Sequence, residues 1–324
     1  MLTGLTGSAI VKEVGLNVTI ARPGDPVLLS YAYCGSCQLC LRGHHSHCTR
    51  FNEINFGQRD NTFEVLSAGT DDKNIAVAGG FFGQSSFARM SIVNERSVVN
   101  VRNLVQDRQE LELYAPLGCG FQTGAGTAIN VANVQPNDIL CVTGLGGVGL
   151  SAIMAAKIQG CKTIIGIDRV QSRLDLAKEL GATILVHSGE LGDLLLVDTV
   201  KNLADGLGPT ICIETTGVPS LIQDALQFTR PMGTIIQVGA APFDFKLGID
   251  VFQWMVEGKR YIGAVEGHAL PTTFVPRMIE WHKQGMFPIE KLVKRYAASD
   301  FETAIQSMHD GTTVKPVLCW YDVV

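Results

Sequence analysis

The run GLGGVG at residues 144–149 follows the apolar segment ILCVT and leads straight into VGLSAIMAAKIQ, which has helical periodicity. A strand, a glycine turn and a helix in that order leave few folds open. Gly144 allows the tight turn, Gly146 lets an anion approach the backbone, and Gly149 permits close packing of helix on strand. Gly147 and Val148 bring N–H groups of the first helical turn, which have no partner inside the helix and lie at the positive end of its dipole. Asp168 ends the next apolar segment, TIIGID, nineteen residues beyond Gly149. A carboxylate there can accept hydrogen bonds from a ribose diol and would repel a 2′-phosphate, which predicts NAD over NADP. Arg169 and Arg173 follow Asp168; a guanidinium could receive a 2′-phosphate, or Arg173 could contact the adenosine ribose of NAD.

Alternation of strand and helix continues around this unit through SRLDLAKEL, TILV, TICIETTG, PSLIQDALQFT and TIIQVG. Such alternation builds a doubly wound parallel sheet. Residues 7–103 instead show short apolar runs, among them SAIVKEVG, PVLLSYAY and FARMSIVN, broken by glycine, proline and asparagine, and predict an all-β region. Two helices and a final strand, KPVLCW, are expected after residue 261.

With 324 residues, 46% of them hydrophobic, the chain can bury the cores of two domains. Its 26 basic and 31 acidic residues give a formal charge of -5, without a basic cluster to follow a phosphate backbone, so nucleic acid is not an expected partner. The longest apolar stretches, such as residues 148–156, are too short to span a bilayer, and MLTGLTGSAI lacks the pattern of a signal peptide. These features predict a soluble cytoplasmic protein that acts on a small molecule.

Four of the nine cysteines, Cys34, Cys37, Cys40 and Cys48, are spaced by three, three and eight residues on a turn-rich stretch. Four thiolates at that spacing predict a closed tetrahedral zinc site, structural because no position is left for water, clamping a loop that lacks a core of its own. His44, His45 and His47 lie inside the loop and could compete as ligands, and iron–sulfur ligation shares the spacing.

This four-cysteine lobe, the segment GCGFQTG at 118–124 and the glycine turn together resemble the zinc-containing medium-chain alcohol dehydrogenases over nearly the whole chain. ETTGVPSLIQDALQFTRPMGTIIQVGAAPF and YIGAVEGHALPTTFVPRMIEWHKQGMFPIEKLV look most like the aryl or benzyl alcohol dehydrogenase branch. The resemblance implies an α/β fold in which a Rossmann domain (123–265) is flanked by a partial GroES-like β-barrel domain (1–122 and 266–324), with the zinc lobe at 34–48. It further implies an alcohol–aldehyde or ketone oxidoreductase that forms dimers or tetramers. By position, Cys119 would be a catalytic-zinc ligand, Thr123 a cofactor neighbour and Lys315 a pyrophosphate contact.

One segment departs from the family. Where its members carry Gly-His-Glu-Gly, this chain reads Gly4-Leu5-Thr6-Gly7. Leu5 has no lone pair to give and Thr6 no carboxylate, so a catalytic zinc is short of ligands unless a cleft histidine or Glu266 supplies one. The family's opening strands would precede Met1. One zinc per chain is therefore expected, and Cys119 reads equally as a ligand or as a buried apolar cysteine. His268 could contribute loop polarity or touch substrate, whereas His282, beside Trp281, is expected to be a surface or domain-packing residue. A second reading keeps the fold as a redox-silent scaffold in a natural-product pathway; consumption of NADH in step with product distinguishes the two.

Overall fold

The structure, a computed structural model, describes residues 6–57, 80–191 and 195–320, and between 58 and 79 only the backbone of two short strands. β1 (Gly7–Ile10) pairs antiparallel with β2 (Pro26–Leu29). The cysteine lobe follows, carrying α1 (Gln38–Leu41) and α2 (Phe51–Phe56). β3 (Thr62–Val65) and β4 (Ile75–Ala78) pair antiparallel with each other, and β5 (Val98–Asn100) completes a three-stranded sheet by pairing with β2. α3 (Arg108–Tyr114) starts where Asp107 Oδ1 accepts the Glu110 N–H at 2.9 Å. α4 (Gly120–Gly126) then leads through a π turn over Thr127–Val131 into the parallel sheet.

That sheet is built from β6 (Ile139–Thr143), β7 (Thr163–Asp168), β8 (Ile184–His187), β9 (Ile211–Glu214), β10 (Thr234–Gln237) and β11 (Arg260–Gly263). Between them run α5 (Gly147–Ile158), α6 (Gln171–Leu180), α7 (Leu196–Leu203), α8 (Pro219–Phe228) and α9 (Val251–Glu257). The spatial order β11-β10-β9-β6-β7-β8 is the doubly wound Rossmann arrangement, and the strand order reverses between β6 and β9. All five residues of β6 are buried, as a strand covered on both faces requires. The chain ends with α10 (Pro271–Lys283), β12 (Val293–Ala297), α11 (Phe301–His309) and β13 (Lys315–Cys319), the two strands pairing in parallel.

The expected parallel sheet is present, and the domain boundary read at residue 122 falls inside α4. Residues 7–103 differ from the all-β expectation. FARMSIVN forms no strand; Met90 is 72% and Ile92 83% exposed, because no neighbouring strand among the described residues offers a ladder. These residues border an apolar groove of about 1730 Å³ whose other wall includes Ile10, Phe301, Ile305 and Met308.

The cysteine lobe also differs from expectation, because it has a small core. Tyr31, Phe51 and Phe82 are buried together with Cys40 and Cys48, their rings 5.8 to 6.4 Å apart. Buried Asn55 ties the lobe to Ala32 by accepting its N–H and donating to its carbonyl, both at 2.9 Å. The aromatic residues come from separated segments, so no local periodicity announces them.

Candidate functional site

At the end of β6, Gly144 turns with φ +85°, a conformation open mainly to glycine. Gly149 sits so close that a Cβ there would lie 1.9 Å from the Gly144 carbonyl oxygen, whereas a Cβ on Gly146 would meet nothing within 4 Å. Gly146 thus leaves an open face at the N-terminus of α5, beside the first-turn N–H groups of Gly147, Val148 and Gly149. A methyl group on Gly146 would occupy this open face, through which an anion could otherwise approach the backbone.

Asp168 does more than its sequence position suggests. Its Oδ2 accepts the Leu145 N–H at 2.7 Å, and its Oδ1 accepts those of Arg169 and Val170 at 2.7 and 3.0 Å. The carboxylate pins the glycine turn to the end of β7 and retains lone-pair capacity for a further donor. Arg173, on α6, is 8% exposed; its Nη2 donates to the Thr313 carbonyl at 2.6 Å, while Nη1 is buried without a partner. Ser172 donates to the Gly311 carbonyl at 3.3 Å, so the segment before β13 docks at this end of the sheet. Val314 borders Gly147, and the charge of the next residue, Lys315, acts to lower the Cys119 thiol pKa. Thr123 is buried in α4, its N–H donating to the Cys119 carbonyl at 2.6 Å.

The lobe brings the sulfurs of Cys34, Cys37, Cys40 and Cys48 within 4.8 Å of one another, the one such group of three or more potential ligands among the described residues. Backbone N–H groups of Ser36 and Cys37 point at Cys34 Sγ from 3.5 and 3.3 Å and pull its pKa down to about 7. The Cys40 and Thr49 N–H groups bring Cys37 to about 5, while burial lifts Cys40 to about 12 and raises Cys48. The residues fit a tetrahedral cation: two thiols ionise readily, and a bound cation offsets the burial that opposes ionising the others. Two of the three loop histidines point elsewhere, His45 Nδ1 to the Gly43 carbonyl at 3.1 Å and His47 to His268.

A third constellation joins α4 to the turn before α10. Cys119 Sγ donates to Glu266 Oε1 at 3.1 Å, and Gln122 Nε2 donates to Oε2 at 3.0 Å. Glu266 is 3% exposed, and burial raises its carboxyl pKa to about 7 against these bonds. Burial and the Glu266 charge push the Cys119 thiol well above its ordinary value. Glu266, Gly267 and His268 all have left-handed backbones (φ 52°, 61° and 49°), a costly run for two non-glycine residues. Their surroundings hold it: Asn130 donates to the Gly267 carbonyl at 3.0 Å, Tyr31 to that of Ala269 at 2.6 Å, and His47 and His268 face each other with Nε2 atoms 2.5 Å apart.

Sequence reasoning named Glu266 and His268 singly and missed Gln122, Tyr31 and Asn130, whose partners lie in distant segments. Leu5 lies outside the described residues, and the Thr6 carbonyl accepts the Ser86 hydroxyl at 2.7 Å. His282 packs between segments, its Nδ1 2.9 Å from the Tyr114 hydroxyl and its Nε2 3.1 Å from Glu290. At Cys119 only Glu266 stands near as a further ligand, and no group of three or more forms there among the described residues, so they do not fit a second, catalytic zinc.

Two family models match the sequence: "Alcohol dehydrogenase GroES-like domain" over residues 1–103 and "Zinc-binding dehydrogenase" over residues 147–284. The chain is 38% identical to geraniol dehydrogenase of Castellaniella defragrans over 320 residues, covering 98% of itself and 83% of that protein. Its structure resembles that of benzyl alcohol dehydrogenase from Acinetobacter calcoaceticus with a TM-score of 0.86 at 37% identity, covering 98% of this chain and 83% of that one. It also resembles an alcohol dehydrogenase zinc-binding domain protein from Burkholderia ambifaria, with a TM-score of 0.87 at 36% identity over 99% of this chain and 84% of that one. These relatives are named as dehydrogenases, and none favours the redox-silent reading.

Proposed function

The chain belongs to the zinc-binding alcohol dehydrogenase family and is an oxidoreductase of that type, and from this premise we propose that it transfers hydride between NAD and an aryl or allyl alcohol. The observation that carries the cofactor half is the open face of Gly146, framed by the left-handed Gly144, the tightly packed Gly149 and the carboxylate of Asp168. When bound, NAD supplies the hydride acceptor. Gly144, Gly146, Gly147, Val148 and Gly149 would hold its pyrophosphate, and Lys315 would balance the phosphate charge. Asp168 and the unsatisfied guanidinium edge of Arg173 would take the adenosine ribose, with Thr123 lining the far end of the crevice.

Cys34, Cys37, Cys40 and Cys48 would hold one structural zinc. Residues 123–265 form the cofactor domain in this reading, and residues 1–122 with 266–324 form the GroES-like domain that closes over it. The substrate class is supported by the names of two relatives, geraniol and benzyl alcohol dehydrogenases. Assembly as a homodimer or homotetramer is supported by β11, which among the described residues pairs with β10 alone, and by the exposed Val251, Phe252, Met255 and Val256 of α9, the helix that precedes it in the chain. A cytoplasmic location agrees with the finding that no helix among the described residues is long and apolar enough to cross a membrane.

Incubating purified protein with NAD and a panel of aryl, allyl and aliphatic alcohols, and following NADH absorbance, tests the proposal. Turnover should favour aryl and allyl members. Tight NADH binding without turnover across the panel overturns the hydride-transfer reading.

A further inference from the structure

Glu214 ends β9 at the point where the strand order reverses, and it is completely buried. Its carboxylate is surrounded by neutral donors. Oε1 accepts the Thr216 N–H at 2.7 Å, the Thr216 hydroxyl and the Thr143 hydroxyl, the last at 3.3 Å; Oε2 accepts the Gly217 N–H at 3.0 Å and Gln237 Nε2 at 2.7 Å. Gln237 Nε2 also donates to the Gly239 carbonyl at 2.6 Å, and its Oε1 accepts the Tyr261 hydroxyl at 2.9 Å. One side chain therefore ties together the ends of β6, β9 and β10, with β11 attached through Tyr261.

The loops so joined fit one another with less than a methyl group to spare. A Cβ on Gly144 would meet Thr216 Cγ2 at 2.7 Å and Thr215 Oγ1 at 2.8 Å, one on Gly217 the Ala240 oxygen at 2.3 Å, and one on Gly239 the Gly217 nitrogen at 2.2 Å. Thr215 Oγ1 donates to the carbonyls of both Thr143 and Gly144 at 2.8 Å. The glycine turn is consequently held from two sides, by Asp168 on the β7 side and by the Glu214 cluster on the β9 side.

Burying a carboxylate without a cationic partner is costly, and among the described residues Glu214 forms no ion pair. Five donors converge on its two oxygens, an arrangement a neutral amide cannot copy, because Gln offers one acceptor oxygen and would set its own N–H groups against two of those donors. We propose that Glu214 is a positioning residue for the cofactor: its carboxylate fixes the loop after β9 against the glycine turn and so sets the width of the crevice. The proposal rests on the NAD reading above.

The test measures NADH dissociation constants by fluorescence titration, with thermal unfolding and amide hydrogen exchange of the cofactor-free proteins. Glu214→Gln should raise the Kd roughly 10–100-fold and speed exchange at Thr216 and Gly217. Gln237→Met removes one donor to the carboxylate and keeps most of the volume, so it decides the matter if Glu214→Gln does not fold. It should raise the Kd roughly 3–10-fold and increase the KM for NAD while leaving kcat nearly unchanged. Wild type that binds NADH, together with a folded variant of unchanged Kd, overturns the proposal even if the melting temperature falls, because a merely structural carboxylate lowers stability alone. Wild type that does not bind NADH overturns the cofactor reading itself, in a separate arm of the experiment.

Discussion

At the glycine turn the atoms that matter are backbone atoms, or lie one residue from them, and a continuous sheet carries them. Around Cys119 they are side chains drawn from far along the chain: Cys119 meets Glu266 across 147 positions and His47 meets His268 across 221. The first site is fixed by strand register and close glycine packing, so its geometry follows from the fold. The second depends on a left-handed turn kept in place by polar contacts from α4, Tyr31 and the cysteine lobe. One region should fail through steric intrusion, the other through loss of partners.

The largest expected effect lies in the lobe. Cys40→Ser should reduce bound zinc from about one per chain to near zero, since four-ligand zinc sites are worth on the order of 10–16 kcal/mol to the folded unit. Elemental analysis of the purified variant checks this, and full zinc occupancy would remove the lobe's claim to the metal.

Two glycine variants sharpen the steric side. Gly149→Ala should destabilise the chain by about 1–3 kcal/mol and abolish NADH binding, because its methyl carbon would intrude on the Gly144 carbonyl. Gly146→Ala has open space and an extended backbone that alanine tolerates, so stability should change by no more than about 0.5 kcal/mol while NADH affinity falls roughly tenfold. Urea unfolding beside fluorescence titration separates the two, and equal behaviour of both variants contradicts the assigned geometry.

A double-mutant cycle on His47→Ala and His268→Ala probes the polar side. Their coupling should amount to about 0.5–1.5 kcal/mol, and strictly additive losses would mean that the pair does not hold the turn.

The smallest effect is a pH dependence in the three-stranded sheet. The Asn100 amide at 2.9 Å and the Arg22 N–H at 3.0 Å hold the Asp25 carboxyl below its ordinary value of 3.8. A depressed folded-state value means that Asp25 contributes stability above pH 3.8, and that this is lost as the pH falls through the lowered value. Asp25→Asn should flatten the acid limb of the stability profile; an unchanged limb contradicts the sign.

The same contrast explains what the sequence reveals. Strand, turn, helix and terminal acid lie within residues 139–168, so that unit is readable as consecutive text. The cysteine spacing is local too, and the four sulfurs converge as the spacing predicts. Glu214 is invisible in that way: in TICIETTG it reads as the end of a strand, and only the register of β6, β9 and β10 brings its donors together. FARMSIVN misleads because apolar content indicates a strand only where a neighbour completes the ladder.

α4 carries a consequence for how such a molecule can vary. A Cβ on Gly124 would lie 1.9 Å from the Val148 oxygen, and one on Gly126 would lie 2.6 Å from that of Gly267. The helix is thus a shim of fixed thickness, with the N-terminal end of α5 on one side and the Glu266 turn on the other. Thickening it by a single carbon at either glycine displaces one of the two, so the spacing between the glycine turn and the Glu266 turn is held constant by the absence of two methyl groups.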